Sequence, residues 1–299
     1  MNWDQCKKGY ETYLRLEKSL SQNSVSAYMN DINKLTTFLT AEYPNITPRE
    51  VKIEHLRKFV EWMNGNNVSP RTQARTISGT KSFFKFLLME NVIEADPTTL
   101  LESPKIGRKL PDILTPDEID QIIDAIDLNK PEGVRNKAII EALYSCGLRV
   151  SELVNLKISN LHFEEEYIVV EGKSEKERMV PISNKAINDI KDYVEKYRVN
   201  LNVSPDSEDI LFLNRRGRQL SRVMIFTIIK GLADKVKLNK NISPHTFRHS
   251  FASQLIEGGA DLRAVQEMLG HESILTTEIY THLDQDYLKD TVNRHHPRS

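Results

Sequence analysis

The sequence predicts a mainly α-helical protein: a small all-helical N-terminal domain and a larger, mostly helical domain that carries a small three-stranded antiparallel sheet. Three observations predict this fold. Apolar residues recur at spacings of three and four along most of the chain, which is the period of an amphipathic helix. Short β-branched and aromatic runs, separated by polar turns, stand out within residues 161–182. Residues 103–112 (SPKIGRKLPD) contain two prolines, a glycine and three cations, which is typical of a linker.

The first domain, residues 1–102, is predicted to contain four helices. They cover residues 3–20, 25–42, 53–63 and a stretch that begins at Ser69. Ser69 is a favourable N-cap, and the proline after it suits the first helical position. Gly79 lies inside the fourth helix and argues against its continuity.

The second domain, residues 113–299, is predicted to follow the linker at 103–112. The predicted helices are 115–126, 132–145, 150–156, 184–198, 221–236, 244–257, 262–269 and one from 273 onward. The predicted strands are 161–163, 167–171 and 178–182, with a brief further strand at 210–213. The polar tail, residues 293–299, is predicted to lie outside the compact core.

The net charge and the local distribution of charge lead to opposite expectations about nucleic-acid binding. The net charge is −1, which by itself argues against a DNA-binding protein. Residues 62–89 nevertheless contain no Asp or Glu, and four cations lie on one side of the predicted fourth helix: Arg71, Arg75, Lys81 and Lys85. This face is either the solvated side of an amphipathic core helix or a surface that contacts DNA phosphates.

The remaining composition places the protein in a reducing compartment. The chain has no run of about 18 apolar residues, so we expect no membrane insertion. Its N-terminus lacks the apolar region of a signal peptide. The two cysteines, Cys6 and Cys146, are far apart and are expected to be free thiols in the cytoplasm.

The residues with the strongest chemical content lie near the C-terminus. Ser243 and the following proline predict a helix start, and His245 and Arg248 share one face of that helix. A helix N-terminus attracts anions, and an Arg fork with an imidazole adds a plausible phosphate site. His271 and then Tyr280 follow. A phenol beside a bound phosphate suggests covalent phosphoryl transfer.

Two further candidates lie earlier in the chain. Arg149 follows a helix that Gly147 ends, and Lys173 falls in the turn between the second and third predicted strands. Taken singly, each candidate has an ordinary structural interpretation, such as an ion pair between Arg149 and Glu152. Taken together and in this order, they are specific.

Five motifs carry that order: GLRVSEL (147–153), EGKSEKER (171–178), HTFRH (245–249), LGH (269–271) and IYTH (279–282). They resemble the motifs of the tyrosine recombinases, or phage integrase family, of the bacterial Xer type. The resemblance covers nearly the whole chain, including the linker and the tail. Ser174 stands where the family has a glycine after the hairpin lysine, which puts the geometry of that turn in question while the amine is retained.

The resemblance implies a site-specific DNA recombinase that works through a 3′-phosphotyrosine. Arg149 and Arg248 would bind the scissile phosphate, Tyr280 would be the nucleophile and His245 its base or a proton shuttle. His271 would hydrogen-bond the phosphate, and Lys173 would protonate the departing 5′-oxygen. No metal and no cofactor is required. The N-terminal domain would be a SAM-like module that binds the core DNA site.

The resemblance also implies partners. These are a double-stranded DNA recombination site, a homo- or hetero-tetramer with a related recombinase, and a septal DNA translocase. The segment from Leu283 to the tail would join the protomers, and its alternative is a helix folded back on its own domain. We expect a role in chromosome dimer resolution at cell division, which the Xer resemblance suggests and which the lack of an additional N-terminal arm-binding domain favours. The alternative is an integrase or transposase of a mobile element.

Two other classes are weighed. A metal-dependent hydrolase would use His245, His249 and His271, but Arg248 on the same face as His245 would repel a cation. A DNA-binding regulator without chemistry would not need all six site positions to hold competent residues.

Overall fold

The computed structural model describes residues 1–104, 107, 112–172, 176–270 and 285–298, and for residues 285 and 286 the backbone alone. The chain separates into two compact units, Met1–Lys109 and Leu110–Ser299. Much of the predicted linker lies outside the described residues, as do the tip of the predicted hairpin and the helix predicted from residue 273. No helix of the described part is long and apolar enough to cross a membrane.

The described part of the first unit contains four α-helices: α1 (Trp3–Leu16), α2 (Gln22–Glu42), α3 (Ile53–Gly65) and α4 (Pro70–Met89). The first helix was predicted to reach about Leu20, but it ends at Leu16. Beyond it, Ser19 adopts a φ of +46°, and the Leu20 amide bonds the Leu14 carbonyl at 3.1 Å. This turn reverses the chain so that Ser21 can cap α2.

Gly79 does not interrupt α4. A Cβ at this position would lie 3.1 Å from both Cβ and Oδ2 of Asp31, so the glycine lets α2 and α4 approach closely. Asp31 is 2% exposed and accepts hydrogen bonds from Arg75 at 2.8 Å and Thr76 at 2.9 Å. The apolar core of the unit, with Tyr10, Phe59 and their neighbours, lies between the four helices.

The second unit contains the other helices and the sheet. In chain order its helices are α5 (Pro116–Asp124), α6 (Pro131–Cys146), α7 (Val150–Val154), α8 (Asn184–Lys196), α9 (Arg222–Lys235), α10 (Pro244–Glu257), α11 (Leu262–Leu269) and α12 (Gln285–His295). The strands are β1 (Leu161–His162), β2 (Tyr167–Glu171) and β3 (Glu177–Pro181). The strand predicted at 210–213 is wrong, because Ile210 and Leu213 form only isolated bridges, to Lys157 and Gln219.

The sheet is antiparallel in the order β1-β2-β3 and buries one face. Ile168 pairs with Val180, and both side chains are fully buried. Val170, two residues along β2, points to the same side and is also buried. These side chains join the main core of the unit, which α6 and α8 also supply.

Part of the C-terminal tail packs against the core, contrary to the prediction that residues 293–299 lie outside it. Leu288 and Val292 of α12 pack into an apolar cluster with α10 and α11. His296 is 3% exposed. The Arg298 guanidinium reaches Asp120 at 2.6 Å and buried Glu141 at 3.3 Å. The polarity of the tail was misleading because the charge of Arg298 is neutralised by carboxylates distant in sequence.

Candidate active site

Three arginines from three separate elements surround one buried carboxylate. Glu152, on α7, is 3% exposed. Its Oε1 accepts hydrogen bonds at 2.7 Å from Arg149, which precedes α7, and at 2.7 Å from Arg178 of β3. Its Oε2 accepts bonds from the Arg149 backbone amide at 2.7 Å and from Arg178 at 2.9 Å. Arg248 of α10 lies 3.8 Å from the same oxygen.

Gly147 positions Arg149 by ending α6 in the left-handed conformation, with a φ of +58°. A Cβ at Gly147 would lie 2.4 Å from the Phe251 ring, so no larger residue fits. The Gly147 carbonyl accepts a hydrogen bond from Arg248 at 2.7 Å. Arg149 follows in an extended conformation with a ψ of 148°, and its own amide is bonded to Glu152 at the start of α7.

The C-terminal end of α11 holds all three guanidinium groups. The Met268 carbonyl accepts a bond from Arg178 Nε at 2.9 Å, and the Gly270 carbonyl accepts one from Arg149 at 2.9 Å. The Leu269 carbonyl accepts a bond from Arg248. Carbonyls at a helix end lack helical partners and carry partial negative charge, so cations satisfy them well. His271 is the next residue of the chain.

The cluster keeps a positive charge despite Glu152. Burial by itself would raise the pKa of Glu152, but the hydrogen bonds and charges of Arg178 and Arg149 hold that pKa below its ordinary value. Burial and the neighbouring charge of Arg149 lower the pKa of Arg248 to about 10, so it remains a cation at neutral pH. Three cations sharing one carboxylate leave a net charge of +2. Such a site attracts an anion.

The structure brings together only some of the predicted site residues. Arg149 and Arg248 belong to the cluster, with Arg149 33% exposed and Arg248 9% exposed at the side chain. His245 lies exposed on the first turn of α10. Three predicted residues lie outside the described residues: Lys173, His271 and Tyr280.

The four basic residues predicted on α4 differ in their surroundings. Arg71 and Lys85 are exposed, and Lys81 is partly buried. Arg75 is half exposed but forms an ion pair with buried Asp31 at 2.8 Å. The first three therefore remain candidates for phosphate contacts, whereas Arg75 also has a structural partner.

Arg178 is the cluster member that the sequence interpretation missed. One signal was available, because Arg178 precedes Val180 by two residues and so shares its inward face of β3. An arginine on the buried face of a strand requires a buried acceptor. Glu152 was considered only as a surface ion-pair partner, and it is instead the centre of the cluster.

The described part of the chain contains two of the three histidines of the zinc alternative. There, no group of three His, Cys, Asp or Glu side chains could hold a metal ion. His245 and His249 are both exposed on α10, and His271 lies outside the described residues.

Comparison with known proteins agrees with this geometry. The model of the phage integrase family matches residues 112–286, and that of the phage integrase N-terminal SAM-like domain matches residues 8–91. The chain belongs to the phage integrase family. Its catalytic region therefore covers the arginine cluster, and the mainly helical fold with one small antiparallel sheet is the fold predicted from the sequence.

Individual relatives place this integrase-family chain more narrowly. A tyrosine recombinase XerD of Oceanobacillus iheyensis is 41% identical, and the match covers 96% of each chain. A tyrosine recombinase XerD of Chlorobaculum tepidum is 40% identical, and the match covers 99% of this chain and 97% of the relative. A crystal structure of XerH bound to its difH substrate matches with a TM-score of 0.68 at 24% identity, covering 95% of this chain and 82% of that one. The Xer-type resemblance is confirmed.

Proposed function

We propose that this chain is a site-specific DNA recombinase that cleaves and rejoins strands through a 3′-phosphotyrosine at Tyr280. The observation that carries the proposal is the meeting of Arg149 and Arg248 at Glu152 and at the end of α11. Two guanidinium groups brought together from distant parts of the chain form a cationic site suited to a phosphodiester. The XerD relatives support the same reaction.

In this proposal, Arg149 and Arg248 bind the non-bridging oxygens of the scissile phosphate. Arg149 is the more accessible of the two, with a side chain 33% exposed against 9% for Arg248. Charge accumulates on those oxygens in the transition state, so the guanidinium groups bind the transition state more tightly than the ground state. His271, which follows the α11 carbonyls, adds a further hydrogen bond.

Covalent transfer requires two proton movements. The Tyr280 oxygen attacks phosphorus as the bond to the 5′-oxygen breaks, and the phenol proton passes to His245. A free phenol has a pKa near 10, so an acceptor is needed at neutral pH. Lys173 donates a proton to the departing 5′-oxygen. A 5′-hydroxyl from another strand then attacks the phosphotyrosine and reverses each step, and the phosphodiester energy is conserved without ATP.

The test is the trapping of a covalent protein–DNA adduct. The purified protein first selects its site from random-sequence duplexes, and that site is then synthesised with a nick beside the cleavage position. Cleavage releases a short oligonucleotide that diffuses away, so the adduct accumulates. Tyr280→Phe should form no adduct, because the attacking oxygen is gone. Tyr197→Phe is the matched control, since Tyr197 is a partly exposed tyrosine at the end of α8, outside both the arginine cluster and the C-terminal segment.

Three results would count against this function. If the unaltered protein binds the selected site but forms no adduct, it is a DNA-binding regulator without chemistry. If Tyr280→Phe still forms the adduct, the nucleophile is a different residue. If EDTA abolishes cleavage, a metal-dependent hydrolase becomes the better interpretation.

The biological role proposed is chromosome dimer resolution, with four protomers around two duplexes and a septal DNA translocase as a regulatory partner. The helical unit would contact the core site through Arg71, Lys81 and Lys85. The structure packs α12 on α10 and α11 of its own domain, which is the alternative given above for the C-terminal segment. Mapping the binding sites on the chromosome tests this role. One locus near the replication terminus supports it, whereas sites at the ends of a mobile element support an integrase or transposase.

A further inference from the structure

Arg178 has no role in the reaction steps described above, yet its side chain makes more hydrogen bonds than that of Arg149 or Arg248. Its two terminal nitrogens donate to the two oxygens of Glu152 at 2.7 and 2.9 Å, and its Nε donates to the Met268 carbonyl at 2.9 Å. Its side chain is 15% exposed. A fork that binds both oxygens of a carboxylate fixes the orientation of that carboxylate as well as its position.

Glu152 in turn orients Arg149. Glu152 Oε1 accepts one hydrogen bond from Arg178 Nη1 and another, at 2.7 Å, from Arg149 Nη1. The other end of the Arg149 fork donates to the Gly270 carbonyl at 2.9 Å. Arg178 therefore supports both contacts of the Arg149 guanidinium. It orients the Glu152 carboxylate that Arg149 Nη1 binds, and its Nε binds the end of α11, where Arg149 binds the Gly270 carbonyl.

The packing at Gly270 shows how closely Arg178 approaches this terminus. A Cβ at Gly270 would lie 3.2 Å from Cδ, Nε and Cζ of Arg178, so the side chain fits directly against the glycine. Gly270 adopts a φ of +62° and ends α11. The Leu269 carbonyl, between the two bonded carbonyls, accepts from Arg248. One side chain thus connects the surroundings of Arg149 and of Arg248.

Arg178 also connects the cluster to the β2–β3 hairpin. It lies on β3 opposite Val170 of β2. Near the hairpin end, the Gly172 amide donates a hydrogen bond to the Lys176 carbonyl at 2.7 Å. A Cβ at Gly172 would lie 3.6 Å from Arg178 Nη1, so the guanidinium lies close to this end of the hairpin. The Arg178 guanidinium therefore connects the strand that follows Lys173 in sequence to the arginine cluster.

We propose that Arg178 is a positioning residue for strand cleavage, which through Glu152 and the α11 carbonyls holds the Arg149 guanidinium in its phosphate-binding orientation. This inference rests on the proposed recombinase function. Arg178 is less available to a DNA phosphate than Arg149, because it makes three hydrogen bonds to Glu152 and Met268 and its side chain is 15% exposed against 33% for Arg149. Its loss should therefore slow the chemical step and leave DNA affinity nearly unchanged.

Arg178→Lys is the informative variant, because lysine keeps the charge and the aliphatic stem but cannot form a planar fork. On the nicked site, with protein in excess, the rate of adduct formation should fall about 10-fold to 100-fold, as expected for a displaced phosphate-binding group. The dissociation constant for the site should change by less than about threefold, since affinity is spread over many phosphate contacts. Arg178→Gln, which keeps an amide donor of shorter reach, should be slower still.

The matched control is Arg198→Lys. Arg198 is also partly buried and donates to backbone carbonyls, at 2.9 Å to Ile210 and 2.6 Å to Glu208, but it lies outside the cluster. This variant should lose some stability and keep its rate of adduct formation below its unfolding temperature. Rates are compared only at temperatures where circular dichroism shows each variant folded.

The outcomes separate this inference from the proposed function. If the unaltered protein forms the adduct and both Arg178 variants form it at the same rate, the positioning role is overturned and the recombinase function stands. If the loss appears as weaker DNA binding with an unchanged maximal rate, Arg178 acts in binding and the inference is also overturned. If the unaltered protein forms no adduct, both proposals fail together.

Discussion

His296 is a titratable side chain buried between two aromatic rings. Its ring centroid lies 4.8 Å from that of Tyr144 and 5.2 Å from that of Phe251. Burial, together with the positive charge of Arg298, lowers the pKa of His296 to about 4. The neutral imidazole is therefore the form that the folded state requires.

The sign of the resulting pH dependence follows from this pKa. In the unfolded chain a histidine titrates near pH 6.5, so the unfolded state binds a proton that the folded state binds only near pH 4. Stability is thus complete above pH 6.5 and decreases as the pH falls towards 4. We expect a loss of about 2 kcal/mol between pH 7.5 and pH 5 from this residue.

Amide hydrogen exchange of α6 and α10 measures that loss in the second unit. His296→Gln removes the titrating group and should reduce the pH dependence of the opening free energy over the same range. The glutamine variant is expected to be less stable at pH 7.5, where packing against the two rings is lost. A pH dependence equal to that of the unaltered protein would show that the pKa of His296 is the same in the folded and unfolded states.

At the scale of elements, the C-terminal residues hold α12 against its own domain. Arg298 lies 5.3 Å from the Tyr144 ring centroid and forms ion pairs with Asp120 and Glu141. Glu141 is fully buried, and Lys185 of α8 also reaches it at 3.1 Å. Removing a partner from a buried carboxylate leaves a charge that is poorly compensated.

Arg298→Ala should therefore reduce the protection of the α12 amides by about 3 kcal/mol. The matched control is Arg294→Ala, which removes an ion pair to Asp290 on the exposed side of the same helix. That control should cost less than about 0.5 kcal/mol, because exposed pairs are well solvated. Hydrogen exchange at Leu288 and Val292 provides the measurement, and equal effects of the two variants would contradict the structural role of Arg298.

Helix limits were predictable where caps and glycines determine them. The sequence limits 244–257 and 262–269 coincide with those of α10 and α11, because Ser243, Asp261 and Gly270 are local signals. The end of α1 was not predictable to the residue, since it depends on a turn at Ser19 that no glycine marks. The strand expected at 210–213 failed because apolar residues there fill the core without a partner strand.

At the scale of the whole molecule, a net charge of −1 must be reconciled with DNA binding. The net charge does not describe local surfaces. A protein with a net charge near zero can bind DNA if the surfaces that contact phosphates are basic. Arg71 and Lys85 are exposed on a helix without acidic residues, whereas the charge of Arg75 is balanced by Asp31.

Salt dependence measures these contacts. If Arg71 and Lys85 contact phosphates, each alanine variant should reduce the slope of log affinity against log salt concentration by about 1. The reduction should be similar for the selected site and for unrelated DNA, because phosphate contacts carry no sequence information. Lys8→Ala is the control, since Lys8 is exposed on α1 of the same unit. Unchanged slopes for the two α4 variants would assign that face to solvent.

The sequence by itself determined the helical period, the helix caps, the linker composition and the order of the chemical motifs. These depend on residues within a few positions of one another, and local physics decides them. The tertiary structure decided which distant groups meet: the sharing of Glu152 by Arg149, Arg178 and Arg248, and the burial of Arg298 beside Glu141. Whether a charged side chain is solvated or buried depends on partners far along the chain, and spacing alone does not specify them.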